Sequence, residues 1–264
     1  MLRNLVIDGC DLSEENAVAG IIETDACALL TDSDSGRMTI QLRRVDFTRN
    51  RNNGGSLLSV TDPSCYRVSM QTVVFQSNQI VEPSQLSVLN ELKNVSLIGN
   101  EFTRSLSMFY FPQNSSTTVD RVTAEDNAGT LFAVNQAEIA IGSSSFSRNS
   151  ASTTGVLFAG AADVSISASS FDSNRCEGNP AVIIGGDSKS SSSDKSIRIL
   201  DCIFRNNSGG GMSLSSLHKR EILISNSTFE KNKFESGSGG ALRFSKCTNC
   251  TIEIKTSRFE SNEA

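Results

Sequence analysis

Short runs in which apolar and polar residues alternate recur along the chain. Apolar side chains two positions apart, many of them β-branched, predict β-strands of three to five residues rather than helices. Turn-forming Asn, Ser and Gly residues separate these runs. The clearest runs are Ile139-Ala140-Ile141, Val164-Ser165-Ile166, Ile197-Arg198-Ile199, Ile222-Leu223-Ile224 and Ile252-Glu253-Ile254.

Each run is followed by an F-x-x-N motif, in which a Phe stands three residues before an Asn. Successive copies lie roughly 22 to 35 residues apart, which is the spacing of a solenoid repeat. In two weaker copies Ser105 replaces the Asn after Phe102, and Ala124 replaces the Phe before Asn127. The complete copies are Phe47 with Asn50, Phe75 with Asn78, Phe146 with Asn149, Phe171 with Asn174, Phe204 with Asn207, Phe229 with Asn232 and Phe259 with Asn262.

A glycine followed by a second apolar run completes the repeat, as at Gly155-Val156-Leu157-Phe158. With too few residues for a helical crossover, the chain should coil so that each strand pairs with its counterpart one repeat on. We therefore expect an all-β right-handed parallel β-helix (a solenoid) of about ten coils, with three short strands per coil, in a single domain over residues 1–264. The Phe side chains should stack in the core, and the Asn amides should bond to the turn backbone.

These motifs resemble the F-x-x-N and G-G-A-[ILV] repeats of the chlamydial polymorphic membrane protein family, and more broadly the right-handed parallel β-helix repeats of the pectin-lyase-like superfamily. The F-x-x-N half is well kept, whereas the other half is complete only at Gly239-Gly240-Ala241-Leu242. The resemblance implies a segment of an exported, surface-displayed adhesin, located outside the cell or on its surface. Both ends of the chain fall within a repeat, so we expect a fragment of a longer array.

Charge and composition narrow the expected partners. A net charge of −5 and a pI near 5.1 provide no basic patch for nucleic acid. The chain has no Trp, two Tyr and one His, so few side chains suit a small-molecule pocket or acid–base chemistry. No apolar stretch is long enough to cross a bilayer. We expect no cofactor and no metal, and a protein or glycan partner at a surface, with end-to-end self-association as a further option.

A carbohydrate-active enzyme, such as a polysaccharide lyase or hydrolase, or its inactive remnant, is the alternative to a non-catalytic module. Glycoside cleavage needs two carboxyl groups roughly 5 to 9.5 Å apart. The outward positions of the first strand should form one column, and that column holds no acidic pair on neighbouring coils. His218 lies among basic residues in a predicted loop, so we expect no catalytic residue. The predicted column is Gln41, Ser69, Ser96, Ala140, Ser165, Arg198, Leu223 and Glu253.

Other features are less specific. Asp32-Ser33-Asp34-Ser35-Gly36 matches only the opening of a Ca²⁺ loop. Cys247-Thr248-Asn249-Cys250 favours a loop disulfide or two free thiols, while Cys176 and Cys202 lie one repeat apart and could stack on adjacent coils. Residues 187–195 form a Ser-rich loop insertion with the composition of a flexible linker.

An apolar stripe is the candidate interaction site. If the Gly-led strands are aligned, Phe132, Phe158 and Ile183 occupy the same outward position on successive coils, near Tyr110. Contiguous exposed apolar surface usually marks an interaction site. The alternative is a shift of one residue in the register, because such a shift exchanges the two faces of a strand. The sequence therefore favours a non-catalytic structural or adhesion module that presents loops and one sheet face to a partner.

Overall fold

Every strand pairing in the described part of the chain is parallel, and none of the described residues is helical. Each strand pairs with its counterpart one coil further along the chain, so the expected all-β parallel solenoid is confirmed. The computed structural model describes residues 2–8, 11–12, 22–24, 38–52, 58–60, 66–80, 84–86, 89–102, 107–152, 154–186, 196–234 and 239–264.

A long sheet runs along the stack and takes two segments from each coil. In the earlier coils the two segments form one bent strand, and from Ser116 onward they are separate. The first segments and bent strands are Leu2–Asp8, Met38–Thr48, Tyr66–Gln76, Leu89–Ile98, Ser116–Asp120, Glu138–Gly142, Asp163–Ser167, Ser196–Leu200, Glu221–Ser225 and Thr251–Lys255. The second segments are Thr123–Glu125, Ser145–Ser147, Ser170–Asp172, Ile203–Arg205, Thr228–Glu230 and Arg258–Glu260.

Two further layers close each coil. Short strands follow the Asn turn, and a third sheet carries the chain back towards the long sheet. The short strands are Asp11–Leu12, Arg51–Asn52, Gln79–Ile80, Glu101–Phe102, Ser150–Ala151 and Arg175–Cys176. The third sheet contains Ser84–Gln85, Phe109–Phe111, Phe132–Asn135, Leu157–Gly160, Val182–Gly185, Met212–Ser215 and Leu242–Ser245, and Ile22–Thr24 pairs separately with Leu58–Val60.

Each bend between the two long-sheet segments places one residue in the left-handed region. Its φ is 53° at Arg121, 49° at Ser143, 46° at Ala168 and 56° at Asp201. A side chain costs about 1–2 kcal/mol in this conformation. The bend is kept because the strand pairings on both of its sides fix the chain direction on every coil.

The Phe of the F-x-x-N motif points into the core and forms a stack, as expected. Ring centroids lie 4.7 Å apart between Phe146 and Phe171 and 5.1 Å apart between Phe171 and Phe204, with nearly parallel planes. The stack continues to Phe229 and Phe259 and has an earlier pair, Phe47 with Phe75. These rings fill the centre of the coils that carry them.

Phe102 is not part of this column, which corrects the sequence prediction. Phe102 pairs with Ile80 in the short strands, and the column position on this coil belongs to Leu97, which pairs with Phe75 and with Ala124. The true repeat is therefore Leu97-Ile98-Gly99-Asn100, in which Leu replaces Phe. The pattern of Phe residues alone missed it.

The Asn side chains form one continuous ladder that includes Asn100. The Oδ1 of Asn174 accepts from both the backbone N–H and the Nδ2 of Asn149, each at 3.0 Å. Its Nδ2 donates to Asn207 Oδ1 at 2.9 Å and to the carbonyl of Phe146 at 3.0 Å. All four hydrogen-bonding sites of the amide are used. The ladder runs through Asn50, Asn78, Asn100, Asn127, Asn149, Asn174, Asn207, Asn232 and Asn262.

A second ladder, which the sequence analysis did not identify, follows the first bend in the later coils. The Ser169 hydroxyl donates to the carbonyl of Ser167 at 2.7 Å and accepts the N–H of Ser144 at 3.1 Å. Ser144 and Ser227 repeat this arrangement. We call the set of Ser144, Ser169, Ser227 and Ser257 the serine ladder, in which Cys202 occupies one step.

Candidate functional site

Phe132 does not belong to the outward face of the third sheet, although the predicted stripe included it. Phe132 pairs with Leu157 and is fully buried, whereas Ala133 pairs with Phe158 and Phe158 with Ile183. The predicted alignment was shifted by one residue at this strand. Phe132 therefore points inward with Leu157.

Phe158 and Ile183 do point outward on neighbouring coils, and each is partly exposed. Tyr110 and Ala133 precede them at the same position, and Ser213 and Arg243 follow. The next outward positions on the same strands are Gly160 and Gly185, both of which are buried. Phe158 and Ile183 thus form a small apolar patch.

The outward column of the long sheet also needs one correction. Ser96 belongs to the second segment, where it pairs with Val74 and Thr123. Its place in the first-segment column is taken by Glu91, which lies between Ser69 and Thr118. The corrected column still has no acidic pair on neighbouring coils.

An acidic pair occurs two positions earlier on the same strands. Glu138 and Asp163 are in register on adjacent coils. Asp163 Oδ1 accepts the backbone N–H of Ser196 at 2.6 Å and lies 3.8 Å from Nη1 of the buried Arg220. The same Nη1 donates to the carbonyl of Ala162 at 3.1 Å. Asp163 is thus tied to the backbone of Ser196, and Arg220 to the backbone of Ala162.

Charges beside the Asn turn largely neutralise one another across coils. Arg148 pairs with Glu125 and Asp126 of the preceding coil. Arg205 pairs with Asp172, and its hydrogen bond lowers the pKa of that carboxyl below its ordinary value. Such exposed pairs contribute little stability, but they leave these side chains engaged with one another.

A groove of about 550 Å³ lies beside the short strands. It forms because one coil is shorter than its neighbours. Only four residues separate Asn127 from Phe132, whereas eight residues separate Asn100 from Phe109 and seven separate Asn149 from Leu157 on the flanking coils. The shorter coil leaves a notch between them.

Small residues form the floor of the groove, and charged residues stand at its two ends. Glu101, Ala128, Ser150 and Arg175 occupy one column on successive coils. Glu101 accepts a hydrogen bond from Gln79 at 3.1 Å. The remaining lining residues are Phe102, Gly129, Ala151, Ser152 and Glu177.

Arg175 forms no ion pair with a described residue, and it shares this with other exposed arginines such as Arg43 and Arg198. Arg67, Arg121, Arg148, Arg205, Arg220 and Arg258 each lie within 4 Å of a carboxylate. Glu177, in the turn that follows the strand of Arg175, also has no ion pair within the described ranges. The groove thus presents an unpaired guanidinium and an unpaired carboxylate at one end.

A second short coil shows why a notch alone does not make a groove. Residues 208–211 separate Asn207 from Met212, but these include Gly209, Gly210 and Gly211. A Cβ on Gly209 would lie 2.1 Å from the carbonyl oxygen of Cys176. The neighbouring coil has closed onto the glycines there. At the first short coil the equivalent Gly129 packs against the Phe102 side chain, and the groove lies beside it over Ala128 and Ser150.

The cysteines do not form the predicted stack. Cys176 lies in the short strands, whereas Cys202 lies in the serine ladder, and both are free thiols. Burial raises the pKa of Cys176 to about 12 and that of Cys202 to about 11. Cys247 and Cys250 are also free, and they lie close enough to interact.

The remaining sequence candidates add no further site. His218 lies in a bend that pairs with Thr248 on the next coil. Residues 32–36 and the insertion at 187–195 lie outside the described residues. Within the described ranges, no three His, Cys, Asp or Glu side chains converge as metal ligands would. The described residues contain no helix of a length and apolarity that could cross a membrane.

Comparison with known proteins identifies no family. No protein-family model matches the chain, and no curated protein matches it. A solved structure with some similarity is the surface protein and adhesin PfbA of Streptococcus pneumoniae, at 9% sequence identity and a TM-score of 0.25, with 97% of this chain and 84% of that chain covered. A likeness of this size carries no argument about function.

Proposed function

We propose that the protein is a non-catalytic binding module displayed outside the cell or on its surface, and that it contacts a partner protein through the outward face of the third sheet. The apolar patch of Phe158 and Ile183 is the observation that supports this proposal. Both side chains are partly exposed, and they are in register on neighbouring strands. A contiguous apolar patch suits the apolar surface of a protein better than a sugar.

The alternative of a carbohydrate-active enzyme has one observation in its favour, the pair Glu138 and Asp163. Asp163 accepts a hydrogen bond from the backbone N–H of Ser196 and lies beside the buried Arg220. Its carboxylate therefore holds the backbone of Ser196 in place. A general acid or a nucleophile needs a carboxyl group that is free to meet the substrate. The pair therefore supports a structural role, and the proposal remains non-catalytic.

Binding to purified extracellular-matrix proteins tests the proposal. The probes are immobilised collagen, laminin and fibronectin, and the variant carries Phe158→Ser together with Ile183→Ser. We expect the wild type to bind at least one of them and the variant to lose at least about tenfold in affinity, because burial of the two side chains is lost. Ile203→Ser is the matched control, since Ile203 is 44% exposed on the long sheet. Absence of binding by the wild type, or an equal loss in the control, contradicts the proposal.

End-to-end self-association remains part of the proposal. Ile254 on the strand Thr251–Lys255 is 44% exposed. Sedimentation of the wild type should show association that depends on concentration, and Ile254→Lys should abolish it. A wild type that stays monomeric at high concentration contradicts this part.

A further inference from the structure

The groove of about 550 Å³ beside the short strands has the dimensions of a small linear ligand. Its floor spans the coils from Glu101 to Arg175 through Ala128 and Ser150. Three coil spacings of about 4.8 Å make this floor about 14 Å long, which suits a trisaccharide. The ligand would lie along the axis of the stack.

The direction of the groove argues against an extended peptide. The strands of the coils run across the groove, so they offer no ladder of N–H and C=O groups to a peptide lying along it. The lining instead provides hydroxyls from Ser150 and Ser152 and carboxylates from Glu101 and Glu177. Hydroxyl and carboxylate groups are the partners that the many O–H groups of a sugar require.

The two ends of the groove differ in charge. Glu101 stands at one end, whereas Arg175 and Glu177 stand at the other. Because the guanidinium of Arg175 forms no ion pair with the described residues, it is available to a carboxylate in a bidentate arrangement. The carboxylates of Glu101 and Glu177 accept hydrogen bonds from sugar hydroxyls on either side.

We infer that this groove binds an oligosaccharide of trisaccharide length whose end at Arg175 carries a carboxylate. The inference rests on one part of the proposed function, the display of the module outside the cell, where it would meet glycans. The groove is separate from the patch of Phe158 and Ile183, so the two proposals can fail independently.

Titration with sialyllactose, a trisaccharide with one terminal carboxylate, tests the inference, and the neutral trisaccharide globotriose is the reference ligand. Binding is followed by calorimetry and by NMR of the sugar protons. We expect the wild type to prefer sialyllactose, and Arg175→Gln to weaken sialyllactose by about tenfold or more while globotriose binding changes little. Arg198→Gln, which changes an exposed arginine of the long sheet, should leave both affinities unchanged.

A second variant tests the groove itself. Ala128→Gln places a longer side chain on its half-buried floor and should weaken both trisaccharides. Failure of the wild type to bind either sugar, equal affinity for the two, or unchanged sialyllactose binding by Arg175→Gln overturns the inference. If matrix-protein binding still depends on Phe158 in that case, the proposed function stands without the groove; if sugar binding persists without matrix-protein binding, only the patch fails.

Discussion

In the later coils the inward position of the F-x-x-N motif carries Phe146, Phe171 and Phe204, whereas in the middle coils the same position carries Leu97 and Ala124. The core of the middle coils is nevertheless filled. Phe109 and Phe132 enter from the third sheet and connect Phe75 to Phe146, with ring centroids 5.6 to 6.0 Å apart. Volume missing from one sheet is supplied by another.

The bend after the first long-sheet segment differs between the same regions. Val45, Val73, Val95 and Val122 occupy it in the earlier and middle coils, and the serine ladder occupies it from Ser144 onward. The Asn ladder, by contrast, is unbroken in both regions. Packing can be met by different residues because dispersion and burial are not directional, but the directed hydrogen bonds of the Asn turn admit no substitute.

The largest effect should come from removing a ring of the middle core. Phe132→Ala should lower the free energy of unfolding by about 4 kcal/mol, because Phe132 is fully buried and packs against Phe146, the neighbour of Ala124 in the column. Adding Ala124→Phe to Phe132→Ala restores volume at the column position. Urea denaturation should therefore show that the double variant is more stable than the sum of the single changes by at least about 1 kcal/mol. Additive effects would show that the two positions do not share one space.

Asn100→Ala tests whether the repeat without a Phe is a full member of the stack. The change removes the acceptor of two Asn78 donors and the donor to the carbonyl of Phe75. It should cost about 3 kcal/mol, as much as Asn174→Ala in the later coils. Asn135→Ala, outside the ladder, should stay within about 0.5 kcal/mol in the same denaturation experiment. A small loss of unfolding free energy in Asn100→Ala would show that the Asn ladder contributes less to stability in the middle coils than in the later ones.

Ser169→Val would give a later coil the bend residue of the middle coils. The N–H of Ser144 loses its acceptor, and the carbonyl of Ser167 loses a donor, so we expect a cost of about 2 kcal/mol. Ser165→Val, at an outward position on the same coil as Ser169, should change stability by no more than about 0.5 kcal/mol. Thermal unfolding of both variants measures the difference, and equal melting temperatures would show that the serine ladder contributes nothing.

Cys202→Ser should have the smallest effect. Cys202 already places its Sγ 3.1 Å from the carbonyl of Leu200, as a serine of the ladder would place its hydroxyl. A hydroxyl completes the ladder, so unfolding under reducing conditions should change by less than about 1 kcal/mol, with stabilisation expected. Cys176→Ser, which puts a hydroxyl outside the ladder, should be the more destabilising of the two. The opposite order would contradict the equivalence of Cys202 with the ladder serines.

The alternating runs and the F-x-x-N spacing were enough to predict the fold class, because parallel strands that stack on their counterparts repeat the same pattern on each coil. The position of one motif was predicted wrongly because another residue replaces its Phe, although the alternating strand pattern is still present there. Leu97 in place of Phe concealed the repeat of Asn100, and the Phe spacing pointed to Phe102 instead. The run Val95-Ser96-Leu97 before Asn100 was the signal that could have located it.

The candidate sites were harder to predict because they depend on the length of individual coils and on the register between strands. The short coil after Asn127 shifts the third-sheet register by one residue, which moved Phe132 from the predicted patch to the core. The groove depends on this coil being shorter than both neighbours, and its end residues Glu101 and Arg175 come together only through the stack. Neither residue stands out in the sequence by itself.

The division between scaffold and interaction surface is tested most directly by unfolding Phe132→Ser and Phe158→Ser side by side in urea. The two residues are one register position apart, with Phe132 fully buried and Phe158 partly exposed. We expect Phe132→Ser to lose at least about 3 kcal/mol and Phe158→Ser to lose less than about 1 kcal/mol while matrix-protein binding falls. A Phe158→Ser variant as unstable as Phe132→Ser would place Phe158 in the scaffold and contradict the proposed surface.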